Sequence, residues 1–257
     1  MSFLVNPFGF AAATGSFAVT EFDTGTTTGT VNYTSSFLAG LTPKAAFMVG
    51  SAHQSANTTS ETPDFQMSFG ITDGTNSRSG RAMSDDGTAN TDVSKVSHSP
   101  GVAFSLFTTT GGNAKVATQA LITEGIQLDY TTGNATNYRG QMALFAGADL
   151  TAAAGHIALG TGTSAITTTI GFSADLVLFF MCDGQFDATV NVASAVAIFG
   201  ACTSDGTQRS VSFTESSGIA TQRPFMTLST SQCASFVGGT GGKIWGVTCG
   251  NFTATAF

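Results

Sequence analysis

Charge is what this sequence has least of. Of its 257 residues only 10% are Asp, Glu, Lys or Arg, against roughly 25% in an average soluble domain. Nine Lys plus Arg face sixteen Asp plus Glu, a formal net charge of −7. Binding a nucleic-acid backbone needs clustered cations that displace counterions, so no direct nucleic-acid partner is expected. A surface left to Ser, Thr, Asn, Gln and Gly offers little repulsion between copies and suits a chain packed against neighbours. Long apolar runs are missing too. The longest, Leu176–Cys182, is far short of the roughly 20 residues of a membrane helix, so no membrane insertion is expected. The opening Met1–Phe10 has no clean apolar stretch, and no Lys or Arg occurs before Lys44, so no secretory signal is expected.

What the chain does have is 22 Phe and 31 Gly, with long Thr and Ser tracts. Phe and Thr fit a pleated, half-buried surface and Gly supplies turns, so the expected class is all-β. Short strand-like segments recur between turn signals such as Asp73-Gly74, Asp86-Gly87, Gly111-Gly112, Asp183-Gly184, Asp205-Gly206 and Gly238-Gly239. Helical periodicity is not sustained beyond a brief stretch around Ala152. Three segments, Ala45 to Val49, Leu176 to Cys182 and Val192 to Phe199, are apolar on nearly every residue. Burial on one face would give alternation, so these predict strands covered on both faces. Ile126-Gln127-Leu128-Asp129-Tyr130 does alternate and predicts a half-exposed strand.

Two halves of the sequence run in parallel at a shift of about 131 positions. Gly40-Leu41-Thr42-Pro43-Lys44 leads into Ala45 to Val49, and Gly171-Phe172-Ser173-Ala174-Asp175 leads into Leu176 to Phe180. Phe69-Gly70, Asp73-Gly74-Thr75, Arg78-Ser79 and Gly87 recur in the same order as Phe199-Gly200, Asp205-Gly206-Thr207, Arg209-Ser210 and Gly218. Arg occurs only five times, and Arg78 and Arg209 match across the shift. The expectation is two tandem jelly-roll-like or Greek-key β-sandwich modules related by internal duplication. Their opening strands would be Ser16–Phe22 and Gln141–Phe145, which sets module 1, with a short N-terminal arm, at 1–137 and module 2 at 138–257.

Chemistry is hard to place on these residues. His53, His98 and His156 stand singly in polar, loop-like surroundings without ligand spacing. Ser77-Arg78-Ser79-Gly80 lacks the first glycine and the setting of a nucleophile elbow. The acid pairs Asp85/Asp86, Glu61/Asp64 and Asp183/Asp187 read more simply as turns than as a glycosidase dyad. The Asp73 and Asp205 turns gather oxygens, but not at EF-hand spacing. Asn-x-Thr sequons at Asn32, Asn57, Asn134 and Asn251 arise by chance in a Thr-rich chain, and the Gly238–Gly242 tract lacks Walker spacing. Cys182, Cys202, Cys233 and Cys249 read as buried small hydrophobes, with a disulfide such as Cys182 to Cys202 left open, because spacing does not give connectivity. No enzyme activity, cofactor or metal is expected. Tyr33, Tyr138 and Trp245, with Tyr130, are candidates for stacking on a glycan, although packing in a core accounts for them more simply. Arg78 and Arg209 are a candidate structural pair, pinning equivalent places in the two halves.

The Gly-hydrophobic-x-Pro-x lead into an apolar strand, followed by Phe69-Gly70 and Asp73-Gly74-Thr75, resembles a module of tailed-bacteriophage virion proteins of the tail and fibre class. The opening Val5-Asn6-Pro7-Phe8-Gly9-Phe10 is similar to the short openings of such proteins. The second half departs from the pattern with Ala174 where the first has Pro43. The resemblance implies a non-enzymatic structural part of a virion, made in the host cytoplasm. Its partners would be copies of itself and other virion proteins, with a host surface glycan as a further candidate. Capsid decoration protein and carbohydrate-binding adhesin are the alternatives.

Overall fold

The structure, a computed structural model, describes residues 15–51, 65–84, 94–107, 113–133, 137–157, 165–182, 189–192, 194–216, 225–237, 243–250 and 252. The fold is all-β, and every strand pairing is antiparallel. No described helix is long and apolar enough to cross a membrane.

The first half contains β1 (Gly15–Asp23), β2 (Gly29–Thr34), β3 (Ala45–Gly50), β4 (Phe65–Thr72), β5 (Ser77–Ser84), β6 (Ser94–Pro100), β7 (Phe104–Phe107), β8 (Asn113–Ile122), β9 (Gly125–Thr132) and β10 (Arg139–Gly147). One sheet runs β1-β10-β3-β4-β5-β6 and the other β2-β9-β8-β7. Side chains that alternate inward from both enclose a core of Phe22, Met48, Phe104, Leu106, Ile126, Leu128, Tyr130, Met142 and Leu144. The chain leaves the second sheet after β9 and returns to the first, where β10 lies between β1 and β3. Gln141–Phe145 therefore does not open a second module. It is an inner strand of the first sheet, and the expected boundary at 137/138 moves beyond Gly147.

The second half contains β11 (Leu176–Cys182), β12 (Thr189–Val192), β13 (Ser194–Thr203), β14 (Gln208–Ser216), β15 (Phe225–Ser229), β16 (Ala234–Val237) and β17 (Lys243–Val247). A four-stranded sheet β11-β13-β14-β15 faces a hairpin β16-β17 across Val196, Ile198, Ala234 and Phe236. β12 does not join either. It extends the first half's sheet by pairing with β6, Val190 opposite Val96.

Several pairings and contacts in the two halves match at shifts of 130 to 132 positions. In β7-β8 Phe104 stands opposite Ala117 and the register slips between Leu106 and Phe107. In β16-β17, 130 positions on, Ala234 stands opposite Val247 and the slip falls between Phe236 and Val237. Tertiary detail repeats with it. The hydroxyls of Ser79 and Ser105 meet at 3.0 Å and those of Ser210 and Ser235 at 3.5 Å. Gly74 and Gly206 turn β4 into β5 and β13 into β14 at φ of 87° and 88°, a backbone region that favours glycine. Gly70 and Gly200 are required for another reason, since a Cβ on either would run into a backbone carbonyl oxygen, of Ala103 and of Cys233 respectively. The backbones of facing elements approach closely there. Gly70→Ala and Gly200→Ala are each expected to cost about 2 kcal/mol through overpacking, read as a lower denaturation midpoint with unchanged slope.

The likeness between the halves is partial. Among the described residues the second half has no counterparts of β1, β2, β9 and β10.

The two halves stack back to back. On β3, Ala46 and Met48 face the first core while Phe47 and Val49 face the second half. Phe47 stacks on Phe180 at 4.6 Å between ring centroids, and Phe180 also meets Phe69 at 5.1 Å and Phe199 at 5.0 Å. Four sheet layers result, with an aromatic seam at the middle. This is why β3, β11 and β13 are apolar on successive residues.

Candidate functional site

The aromatic candidates do not form an open platform. Tyr130 follows Ile126 and Leu128 on the inward face of β9 and is 1% exposed. Tyr138, 5% exposed, is a member of the same core, so it cannot offer its ring to a glycan. Tyr33 is half-buried. Its hydroxyl donates to the backbone oxygen of Asp23 and lies 3.3 Å from that of Tyr130. Burial raises the pKa of both phenols and keeps them neutral. Trp245 stands on β17 opposite Phe236 in the backbone pairing, and its side chain lies outside the description.

Beside this cluster the end of β1 is fastened by polar groups. The Asn137 side chain donates to the Asp23 carboxylate at 2.6 Å, and Tyr138 N–H donates to the Thr24 hydroxyl at 3.0 Å. Arg139 reaches Glu21 at 2.5 Å, an exposed pair that contributes little. These bonds join the end of β1 to the start of β10, which is the pattern of a structural staple.

Arg78 and Arg209 occupy matched places on β5 and β14, and each donates to the carbonyl of the preceding residue, Ser77 at 2.8 Å and Gln208 at 2.6 Å. Arg209 also donates to Thr230 O at 2.7 Å, tying β14 to the chain beyond β15. In these bonds the acceptors are backbone oxygens, where a carboxylate partner was a candidate.

A shallow cleft of about 380 Å³ lies at one end of the first sandwich, lined by Pro43, Lys44, Asp73, Leu121, Leu150, Thr151 and Ala152. Its two charged groups are engaged. Lys44 Nζ donates to Ala148 O and Leu150 O at 2.9 and 2.8 Å. Asp73 accepts from Thr75 N, Asn76 N and Ala154 N. Together they clamp the chain that leaves β10. No helix forms around Ala152, as these backbone groups bond outward to Lys44 and Asp73. Partial burial pushes the Asp73 carboxyl up, but N–H donors from Asn76, Ala154 and Thr75 outweigh it and hold the pKa below the usual aspartate value. A depressed carboxyl pKa gives stability that is present above the unfolded-state value and lost as pH falls through the folded one. The Ala154 amide resonance should therefore titrate with a midpoint below that of an ordinary aspartate, and should be flat in Asp73→Asn.

Cysteine chemistry differs from expectation. Cys202 is joined to Cys249, not to Cys182. Cys233 is free and buried, and burial pushes its thiol pKa up, away from the reactive thiolate. The bond sits at a position with meaning. In the first half the equivalent residues are Thr72 and Gln119, and both hydrogen-bond to Ser77 there, at 3.0 and 3.3 Å. A polar link in one half is a covalent link in the other. No single-sequence signal marks this, because neither Cys has a Cys at its matched position.

His98 lies on β6 opposite Gly80, not in a loop. His53, Glu61, Asp64, Asp85, Asp86, Asp183, Asp187 and the Gly238–Gly242 tract lie outside the described residues. Among the described residues no three His, Cys, Asp or Glu side chains gather to hold a metal. Comparison with protein-family models, curated proteins and solved structures finds no match to this chain.

Proposed function

We propose that this chain is a non-enzymatic structural component of a tailed-phage particle, in the tail, fibre or adaptor region, assembled from many copies and built from a duplicated sandwich module. The observation that carries the reading is the four-layer stack with an aromatic seam, in a chain with 10% charged residues. Such a body is stiff and has little charge to hold neighbours apart. Large apolar side chains are left outside: Phe37 is 79% exposed, Leu228 73% and Met226 70%. Exposed groups of this kind fit a protein whose surface is covered by others in service. The repeated pairings at a displacement of 130 favour duplication of one module.

Negatively stained images of the purified protein test the assembly. Rings, rods or fibres of repeating units are expected, and a uniform population of single particles at high concentration would overturn the reading. Binding to emptied heads in preference to tails would turn it toward capsid decoration. The glycan-binding alternative now rests on Trp245, and a glycan array that loses signal with Trp245→Ala would favour it.

A further inference from the structure

Two kinds of link hold Cys249 to the four-stranded sheet. Cys202 on β13 supplies the covalent one. The other comes from Gln208, which stands opposite Cys202 in the β13-β14 pairing. Its carboxamide takes both backbone groups of Cys249, accepting from the N–H at 2.7 Å and donating to the carbonyl at 3.1 Å. No sulfur takes part in these bonds, so they do not need the disulfide in order to form.

The first half shows such a link by itself. Ser77 stands opposite Thr72 as Gln208 stands opposite Cys202, and there the Gln119 side chain donates to the Ser77 hydroxyl, between residues that carry no sulfur. A carboxamide therefore bridges the same gap in both halves. The remaining cysteines are placed elsewhere. Cys233 is buried, with its Sγ donating to Val247 O at 3.3 Å, and Cys182 stands opposite Ala197, at the far end of the β11-β13 pairing from Cys202.

We propose that Cys202 and Cys249 form a redox lock set in the native fold: the reduced chain folds with Gln208 already holding Cys249 beside Cys202, and oxidation joins only these two. Gln208 is the positioning residue. The oxidant is a small-molecule disulfide such as oxidised glutathione. Cys249 is half-buried and Cys202 buried, so Cys249 reacts first: its thiolate attacks one glutathione sulfur, the glutathione S–S bond breaks and one glutathione thiolate leaves. The Cys202 thiolate then attacks Cys249 Sγ, forming the protein disulfide and releasing the second glutathione. Both electrons pass to the glutathione pair, and the protons of the protein thiols end on the released glutathione thiols. Holding the cysteines within reach beforehand raises the effective concentration of one thiol at the other, which favours closure over the mixed disulfide and over pairing with Cys182 or Cys233. The lock does not depend on what the chain assembles into.

Equilibrating the full chain at set ratios of oxidised to reduced glutathione, quenching with an alkylating reagent and reading the products by mass tests it. Wild type should close Cys202–Cys249 and no other bond. Gln208→Ala should need a ratio about tenfold more oxidising for half closure, since the clasp no longer presets the pair. Gln119→Ala, which removes the corresponding amide from the first half, should leave that midpoint where it is. In the reduced wild type the far-ultraviolet circular dichroism should match that of the oxidised chain, and the Cys249 amide should stay protected from hydrogen exchange, a reading that needs no variant to fold. A folded Gln208→Ala with an unmoved midpoint overturns the positioning role. A Cys249 amide that exchanges freely in the reduced chain, or closure with Cys182 or Cys233 in the folded protein, overturns the lock itself.

Discussion

Reducing the Cys202–Cys249 bond should lower the stability of the folded chain by about 4 kcal/mol, the largest effect expected from any single change described here. The size follows from the loop. The two cysteines are 47 residues apart, and on the chain-entropy account a loop of that length removes about this much freedom from the unfolded ensemble. The double variant Cys202→Ser, Cys249→Ser separates the bond from the reagent. Its denaturation midpoint should match that of the reduced wild type, and oxidation should no longer shift it. A shift of less than about 1 kcal/mol on reduction would mean that the second half is held by packing alone. The matched position in the first half provides the scale. There, Gln119→Ala removes only a side-chain bond to Ser77 and should cost about 1 kcal/mol. Persistent disulfides belong to oxidising surroundings, so on the virion reading the bond closes after the protein leaves the host cytoplasm.

Truncating Phe180 should cost about 3 kcal/mol, because it removes the ring on which Phe47, Phe69 and Phe199 converge. The effect reaches both halves. The seam belongs to the first half's sheet through Phe47 and Phe69 and to the second's through Phe180 and Phe199. Phe180→Ala should therefore split a single calorimetric transition into two, with the second half melting first. Phe180→Leu, which keeps most of the volume, should lose under half as much. A single transition that merely moves to lower temperature would show that the halves are coupled elsewhere, for instance through β12 on β6.

Much of this architecture is legible in the residues. Runs that are apolar on every position at Ala45–Val49 and Leu176–Cys182 predict strands with two covered faces, and β3 has a core on each side. Arg78 and Arg209, matched in the sequence, are each the second residue of a strand, β5 and β14. The burial of Tyr130 is also written in its alternation with Ile126 and Leu128, a signal that counting aromatics overlooks. The module boundary is not legible in the same way. β10 has the alternation of an opening strand, and nothing local tells that its partner is β1, more than a hundred residues earlier. The Cys202–Cys249 bond is hidden for a related reason. It joins β13 to the chain beyond β17, positions 47 residues apart in sequence.

The return of β10 also sets a timetable for synthesis. Gly15 pairs with Gly147 and Asp23 with Arg139, so β1 leaves the ribosome with no sheet to enter until the whole sandwich sequence has followed it. At about 5 to 20 residues per second that wait is on the order of ten seconds. Through it Phe17, Val19 and Phe22 remain available to neighbouring nascent chains, and crowding on a polysome becomes the stage at which yield is decided.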